Sequence, residues 1–260
     1  HNALHSSGAS LGLRRRVQRV HFYVYGGFMK KIGRWMSYFT KGEIMLYLSS
    51  VALIVLSFCL FDRTNWLTLA ASLVGATSLI FCAKGNPTGQ ALMIVFSLLY
   101  GINSFTFAYY GEMITYLGMT MPMAVFALVS WLRNPYKGNK AQVRINRISK
   151  TETALMFVAA AAVTVPFYFI LAAFNTANLV PSTISVTTSF IAVYLTFRRS
   201  EFYGLAYAVN DMVLIVLWIM AAAENIGYLS VVVCFVMFFV NDMYGFANWM
   251  RMKKRQAAEG

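Results

Sequence analysis

Long apolar runs alternate with short polar connectors along most of this chain. Runs of about 18 to 20 residues are long enough for a helix to cross a bilayer core roughly 30 Å thick. We predict eight such spans, at residues 44–61, 66–83, 90–108, 113–132, 154–174, 181–197, 203–222 and 228–250. A continuous apolar run such as 154–165 lacks the period of two that a β-barrel strand shows. The spans are therefore predicted to be helices, which satisfy their own backbone hydrogen bonds in lipid.

The composition supports a membrane protein. Hydrophobic residues make up 59% of the chain and charged residues 12%, whereas a soluble domain has about 25% charged residues. Cys59, Cys82 and Cys234 lie in or at the ends of spans and form no C-x-x-C pair, so we interpret them as packing residues. All the histidines precede residue 22. The fold class is predicted to be an all-α integral membrane protein with no metal site and no cofactor.

The basic residues predict how the chain crosses the membrane. If the N-terminus is inside and the spans alternate, 21 of the 22 lysines and arginines lie in inner segments, and only Arg63 lies outside. The positive-inside rule therefore supports eight spans with both termini cytoplasmic. The net charge of +13 is then a topology signal. Its expected partner is anionic membrane lipid and not nucleic acid.

Residues 1–43 form a basic segment on the predicted inner side. Met29-Lys30-Lys31 resembles a bacterial protein start, so we interpret residues 1–28 as sequence outside the natural protein. The alternative is a basic helix lying in the membrane interface, with Phe22, Tyr23 and Tyr25 as its apolar contacts.

An internal repeat is indicated by the ends of two spans. The fourth span ends in Ser130-Trp131-Leu132-Arg133 and the eighth in Asn248-Trp249-Met250-Arg251, both at the inner end of an outside-to-inside helix. One linker helix between two triplets makes them parallel repeats, an arrangement found in transporters. The alternative is that both tryptophans are interfacial anchors. The predicted organisation is a leading helix 44–61, a first three-helix bundle 66–132, a basic loop 133–153, a linker helix 154–174, a second bundle 181–250 and a tail 251–260.

Two Asn-Asp dipeptides lie inside the last two spans. Asp211 follows the inner end of its helix by eight residues, and Asp242 precedes the inner end of its own by eight. At about 1.5 Å per residue both lie roughly 12 Å above the inner boundary, so neighbouring helices present them at one level. An ionisable group at this depth is a functional-site hypothesis by default. The alternatives are polar contacts that join the helices, and a proton or sodium coupling site.

The candidate substrate-binding residues are polar or aromatic side chains that flank these dipeptides at helical spacing, together with uncharged polar side chains of the third span. They are Gln90, Tyr100, Asn103, Tyr203, Tyr207, Asn210, Asp211, Trp218, Asn241, Asp242 and Tyr244. Glu112 and Tyr116 are placed at an outer vestibule, with an interfacial anchor as the alternative for Tyr116. The sequence contains no G-x-S-x-G, His-Glu-x-x-His or P-loop motif, so an enzyme is not predicted.

Several of these motifs resemble the PnuC family of bacterial vitamin-precursor transporters. The resemblance covers about residues 42–255 and is carried by three segments. These are Asn103…Tyr109-Tyr110-Gly111-Glu112…Tyr116…Pro122…Trp131-Leu132-Arg133, then Glu201-x-Tyr203 reaching Asn210, and finally Tyr244-Gly245-x-x-x-Trp249-x-Arg251. The family's Trp-x-x-Trp in the penultimate helix is replaced by Tyr203 and Ala206.

The resemblance implies a SWEET-like fold, with a leading helix before the parallel repeat, in a bacterial inner membrane. It implies facilitated diffusion of nicotinamide riboside, followed by phosphorylation in the cytoplasm that traps the substrate. Thiamine is also a cation and stays open as the substrate, as does proton-coupled transport. A channel or a membrane interaction protein is the alternative from another class, and a homo-oligomer is compatible with either.

Overall fold

The computed structural model describes residues 37–259. The interpretation of residues 1–28 therefore concerns a segment outside the described residues. Contacts divide the chain into a unit that ends at Met45 and a larger unit that begins at Leu46. In the first unit the Thr40 hydroxyl accepts from the Glu43 backbone N–H at 3.2 Å, and the Glu43 carboxylate accepts from the Thr40 N–H at 2.7 Å. This capping box satisfies two backbone donors where the first long helix begins.

The described chain contains eight helices long and apolar enough to span a bilayer, as predicted. Their bounds are α1 Lys41–Phe61, α2 Trp66–Ala83, α3 Pro87–Thr106, α4 Tyr110–Arg133, α5 Lys150–Ala173, α6 Leu179–Phe197, α7 Tyr203–Ala222 and α8 Leu229–Ala258. In α4 a π-helical turn, Tyr116–Thr120, separates two α-helical parts, and a 3₁₀ turn at Ile226–Tyr228 precedes α8.

Several helices extend beyond the spans that hydropathy predicts. Helix α8 continues through a basic segment to Ala258, and α5 begins at Lys150 instead of at residue 154. Hydropathy marks the apolar part of a helix, whereas backbone hydrogen bonding continues into polar sequence. For the same reason α4 begins at Tyr110, which brings Glu112 into its first turn.

Six helices form a closed ring. Along this ring α2 packs on α3, α3 on α4, α4 on α6, α6 on α7, α7 on α8, and α8 returns to α2. Each triplet, α2–α4 and α6–α8, occupies one half of the ring, and α5 packs against α6. Helix α1 is joined to the ring by a hydrogen bond between Tyr47 and Thr77 at 3.0 Å. The predicted pattern of one leading helix, three helices, a linker and three more is the observed one.

The polar segments predicted to lie inside meet at one end of the ring, which we call the basic face. A two-stranded antiparallel hairpin, β1 Pro135–Tyr136 and β2 Asn139–Val143, lies there in place of the predicted loop. Lys137 and Gly138 at its turn have φ of 47° and 77°, and two positive φ values are what a tight two-residue hairpin requires. Two strands this short and polar carry no hydrophobic alternation, so the sequence pattern does not reveal them.

The two tryptophans of the repeat meet at the basic face. Trp131 and Trp249 are fully buried, with ring centroids 5.3 Å apart. The Trp131 indole N–H donates to the Thr196 carbonyl at 2.9 Å, and that of Trp249 donates to the Cys82 carbonyl at 2.9 Å. Each indole therefore joins the last helix of one triplet to the first helix of the other. The interpretation of these residues as lipid-facing anchors is wrong.

Neighbouring groups repeat the same pattern. The Ser130 hydroxyl donates to the Phe197 carbonyl at 3.0 Å, and the Asn248 amide donates to the Ala83 carbonyl at 2.8 Å. Helices α2 and α6 end alike, since Gly85 with φ 68° and Arg199 with φ 58° donate back to the same two carbonyls that the indoles use. The two halves therefore repeat the same pattern of hydrogen bonds between helices. Different side chains, such as Ser130 and Asn248, make the equivalent bond in each half.

These bonds predict that both indoles stabilise the ring. Trp131→Phe and Trp249→Phe keep an aromatic ring but each lose a buried N–H donor, so we expect each to lower the free energy of unfolding by about 1–3 kcal/mol. Thermal unfolding of the purified protein measures this, with Trp66→Phe as the control because Trp66 is 67% exposed. Equal melting temperatures for all three variants would contradict the prediction.

Candidate functional site

The two aspartates of the Asn-Asp dipeptides lie side by side. Asp211 on α7 and Asp242 on α8 are both buried, and their carboxyl groups are close enough to interact electrostatically. Gly204 permits the close approach of these helices, because a Cβ there would lie 2.8 Å from the Asp242 carbonyl oxygen. Ionised carboxylates only accept hydrogen bonds and repel one another, so a hydrogen-bond donor or a cation beside this pair is stabilising. The expectation that the aspartates share one level is confirmed.

The two asparagines point in different directions from the aspartates. The Asn210 amide oxygen accepts from Thr188 at 2.8 Å and from Ser189 at 2.9 Å, which joins α7 to α6. The Asn241 amide nitrogen donates to Ser50 at 2.9 Å, which joins α8 to α1. Both asparagines therefore make the helix-joining contacts that were the alternative for these dipeptides, whereas the aspartates contact each other.

Tyrosine side chains adjoin the carboxyl pair. Tyr116 in the π-helical turn and Tyr207 on α7 are both close enough to Asp211 for an electrostatic interaction. Tyr207 also interacts with Asp242 and makes ring contact with Tyr203 at 6.3 Å. We call Asp211, Asp242, Tyr116 and Tyr207 the middle layer. Sequence reasoning placed Tyr116 at an outer vestibule or anchor, but only 5% of it is exposed.

An aromatic cluster lies on the basic-face side of the middle layer. The Tyr203 ring lies 4.6 Å from that of Trp249 and 6.3 Å from that of Trp131. All three residues are buried, and we call them the inner closure. Gln90 lies near this level, where its amide donates to the Cys82 sulfur at 3.2 Å.

A second aromatic cluster lies towards the opposite face. The Trp218 indole donates to the Tyr100 hydroxyl at 2.8 Å, and the Tyr100 ring lies 4.4 Å from that of Tyr116. Tyr109 and Tyr228 pack on Trp218 with centroid distances of 4.8 and 5.5 Å. Tyr100, Tyr109, Trp218 and Tyr228 form the outer closure, which contacts Tyr116 of the middle layer through Tyr100. The middle layer is thus bounded by aromatic rings towards both faces.

Asn103 and Tyr244 are the remaining candidates. The Asn103 amide oxygen accepts from Asn65 and from Thr68, both at 3.2 Å, where α2 begins. Tyr244 on α8 is only partly buried. The structure therefore brings together Tyr203, Tyr207, Asp211 and Asp242, with Tyr100 and Trp218 in the adjacent outer closure.

Glu112 is a buried acid that sequence reasoning left at the outer turn. Its side chain is fully buried where α4 meets α6, and one carboxylate oxygen accepts from Ser185 at 3.1 Å. The other oxygen finds no hydrogen-bond partner among the described residues. The start of the fourth helix could have indicated this burial. A helix that begins at Tyr110 places Glu112 in its first turn and not in the connector before it. The π-helical turn that follows is a feature often found at functional sites, and Pro122 lies directly after it.

Equivalent positions of the two halves carry free polar atoms. Ser97 follows Gly85 by twelve residues, and Asp211 follows Arg199 by twelve, so both hold the same place in the repeat. The Ser97 hydroxyl and one Asp211 oxygen are buried without a partner in residues 37–259. These groups could accept or donate hydrogen bonds to a ligand, and an ionised carboxyl group of the pair would attract a cation. The chemistry fits a ligand that is a cation with hydroxyl groups.

A protein-family comparison matches this chain over residues 65–251 with the model described as nicotinamide mononucleotide transporter. The chain belongs to this family. Similarity extends to the nicotinamide riboside transporter PnuC of Neisseria mucosa (strain ATCC 25996 / DSM 4631 / NCTC 10774 / M26), which is 25% identical over 231 residues, or 87% of this chain and 86% of that protein. The resemblance to the PnuC family is confirmed.

A solved structure shares the fold. The crystal structure of the vitamin B3 transporter PnuC superposes with a TM-score of 0.74 and 24% identity, covering 84% of this chain and 94% of that one. The chain is thus a multi-pass membrane protein of a transporter family, with no enzymatic role indicated by its relatives.

The contacts of the dipeptides predict different roles for their two residues. Asn210→Ala removes the acceptor of two hydroxyls, so we expect a loss of roughly 0.5–1.7 kcal/mol in the free energy of unfolding. Asp211→Asn retains a group that can donate to Asp242, so its stability should stay near that of the parent. Thermal unfolding of both variants measures the difference. An Asn210→Ala variant as stable as Asp211→Asn would overturn this assignment.

Proposed function

We propose that this protein takes up nicotinamide riboside by facilitated diffusion and binds it in the middle layer. The observation that carries the proposal is the buried, neighbouring pair Asp211 and Asp242 inside a closed ring of membrane-spanning helices. A charge in hydrocarbon costs from about 2.5 to more than 10 kcal/mol depending on how it is measured, so an isolated carboxylate is kept there for a reason. A cationic substrate supplies the missing partner.

The chemistry of nicotinamide riboside matches these groups. Its pyridinium ring is a flat cation, which the tyrosine rings Tyr116 and Tyr207 can hold by stacking and cation–π contact. Its ribose hydroxyls suit the Asp211 carboxylate and the free Ser97 hydroxyl.

The same charges argue against a nucleotide substrate. Nicotinamide mononucleotide carries a phosphate, which needs positive side chains around it. No lysine or arginine lies in the described helices between the inner and outer closures, whereas two aspartates and Glu112 do. The riboside is thus favoured over the mononucleotide by electrostatic complementarity.

Alternating access follows from the two closures. Because the triplets α2–α4 and α6–α8 each contribute one half of the ring, rocking one against the other opens one closure at a time. The inner closure contains the two indole bonds that cross between triplets, so opening it requires breaking those bonds. Phosphorylation of the riboside in the cytoplasm then prevents its return.

The orientation in a bacterial inner membrane, with both termini cytoplasmic, is supported by the charge asymmetry. The inner segments converge at the basic face, and Arg63 lies on the connector that follows α1, outside it. Apolar side chains on the outward faces of α1 and α5, such as Leu48 and Phe169, are exposed for contact with lipid.

Two alternatives keep the same site. Thiamine is a cation with an aromatic ring and suits the carboxyl pair for the same reasons. Proton-coupled transport is favoured by one observation, namely that Asp211 and Asp242 are both buried within the membrane-spanning helices, where carboxyl groups serve as proton carriers.

Carboxylate recognition predicts a charge-specific loss of affinity. In calorimetric titrations we expect Asp211→Asn and Asp242→Asn each to weaken nicotinamide riboside binding about tenfold or more, since a hydrogen bond to a charged group contributes roughly 1.5–3 kcal/mol. Reduced nicotinamide riboside lacks the pyridinium charge and should bind both variants and the parent alike.

Glu224→Gln is the control, because it removes one exposed carboxylate from the outer connector. Selective binding of thiamine would reassign the substrate, and equal losses for both forms of the riboside would sink the charge argument.

Facilitated diffusion predicts no response to a proton gradient. Initial uptake of labelled nicotinamide riboside into vesicles containing the protein should be the same with and without an inward pH gradient. A rate increased by the gradient, and lost in Asp242→Asn, would establish the proton-coupled alternative instead.

A further inference from the structure

A cleft of about 680 Å³ opens on the basic face, apart from the middle layer. It lies between the hairpin, the segment after β2, the turn between α6 and α7, and the end of α8. Its charged and aromatic lining consists of Tyr136, Lys137, Arg144, Arg147, Arg199 and Lys253. A volume of this size is typical of sites for small molecules.

The positive charge in this cleft exceeds the negative charge beside it. Lys137 pairs with Glu259 at 3.2 Å, and Lys253 pairs with Glu201. The guanidinium groups of Arg144 and Arg147 are exposed and have no ion pair or hydrogen bond to any other described residue. Three arginines therefore remain without a carboxylate partner in this part of the chain.

Arg199 is the least compensated of these cations. Its side chain is partly buried, and its Nε is buried without a partner within residues 37–259. Within the described residues its side chain makes two hydrogen bonds, both long, from Nη1 to the hydroxyl and carbonyl oxygens of Ser130 at 3.4 and 3.5 Å. Burial, together with the charges of Arg198 and Arg144, lowers the pKa of Arg199. An anion in the cleft would relieve this repulsion and supply the missing acceptor.

The backbone around the cleft is held in place before any ligand binds. The Gln256 side chain accepts from the Ile145 N–H at 2.9 Å and donates to the Val143 carbonyl at 3.1 Å. The Asn146 N–H donates to the Arg199 carbonyl at 3.0 Å, and the Arg144 N–H donates to Asn134 at 2.8 Å. A preorganised site loses less entropy on binding, so these bonds favour a defined ligand over diffuse surface attraction.

We propose that this cleft binds a phosphate group, with Arg144, Arg147 and Arg199 as its ligands. Arginine presents several N–H donors in a plane, which suits the oxygens of a phosphate monoester or diester. The phosphate belongs either to a soluble nucleotide or to an anionic phospholipid whose headgroup reaches the basic face. The site is independent of the middle layer, which carries the opposite charge and takes the opposite kind of ligand.

Titration of the full chain in phosphatidylcholine nanodiscs tests the proposal, at about 0.15 M salt so that long-range attraction is screened. One arm adds uridine monophosphate, with uridine as the phosphate-free reference, and the other adds short-chain phosphatidylglycerol. The cleft variant is Arg144→Gln with Arg147→Gln. The control is Lys140→Gln with Lys254→Gln, which removes the same amount of charge. Both lysines are exposed, on β2 and on α8 respectively, and neither lines the cleft.

We expect saturable binding in one arm, weakened about tenfold or more in the cleft variant and unchanged in the control. Binding of uridine monophosphate identifies a soluble phosphate, and binding of phosphatidylglycerol alone identifies a lipid headgroup; either supports the site. No saturable binding in both arms, or equal weakening in the two variants, overturns it.

Discussion

The indole-to-carbonyl hydrogen bonds of Trp131 and Trp249 are the contacts on which the arrangement of the ring depends. In lipid there is little hydrophobic drive to associate helices, so packing and hydrogen bonds between them decide which surfaces meet. These two bonds cross from one triplet to the other at both places where the halves adjoin. They also use carbonyls at the ends of α2 and α6, which already accept from Gly85 and Arg199. Trp131 and Trp249 therefore both join the two halves of the ring and form part of the inner closure.

That constraint explains the layered interior. Helices α7 and α8 approach closely at the inner end of α7, since Gly204 leaves room for the backbone of Asp242 and Phe246. Aromatic clusters exclude water on both sides of the middle layer, which strengthens every electrostatic interaction between them. The asparagines beside the acids hold α6 and α1 in position, and so preserve the placement of Asp211 and Asp242.

The charges are separated along the molecule in a way that suits the proposed transport. Acidic groups, Asp211, Asp242 and Glu112, lie within the ring, whereas arginines without partners lie in the cleft on the basic face. The proposed cation and the proposed phosphate are therefore recognised by separate groups of opposite charge. Arg199 adjoins the inner closure, because its side chain contacts Ser130 and its backbone N–H donates to the Thr196 carbonyl that also binds Trp131.

The sequence by itself determined the eight helices, the side on which the basic residues gather, the repeat of three helices, and the level shared by the two aspartates. Each follows from local periodicity or counting along one helix, which the bilayer enforces. Only the tertiary structure decided that Asp211 faces Asp242 while Asn210 and Asn241 turn to α6 and α1, because neighbouring residues on a helix point about 100° apart and the partner helix selects between them. It also decided that Glu112 and Tyr116 are buried, that the tryptophans meet instead of anchoring in lipid, and that distant basic residues share one cleft. These outcomes depend on contacts between segments far apart in the chain, and no local pattern contains that information.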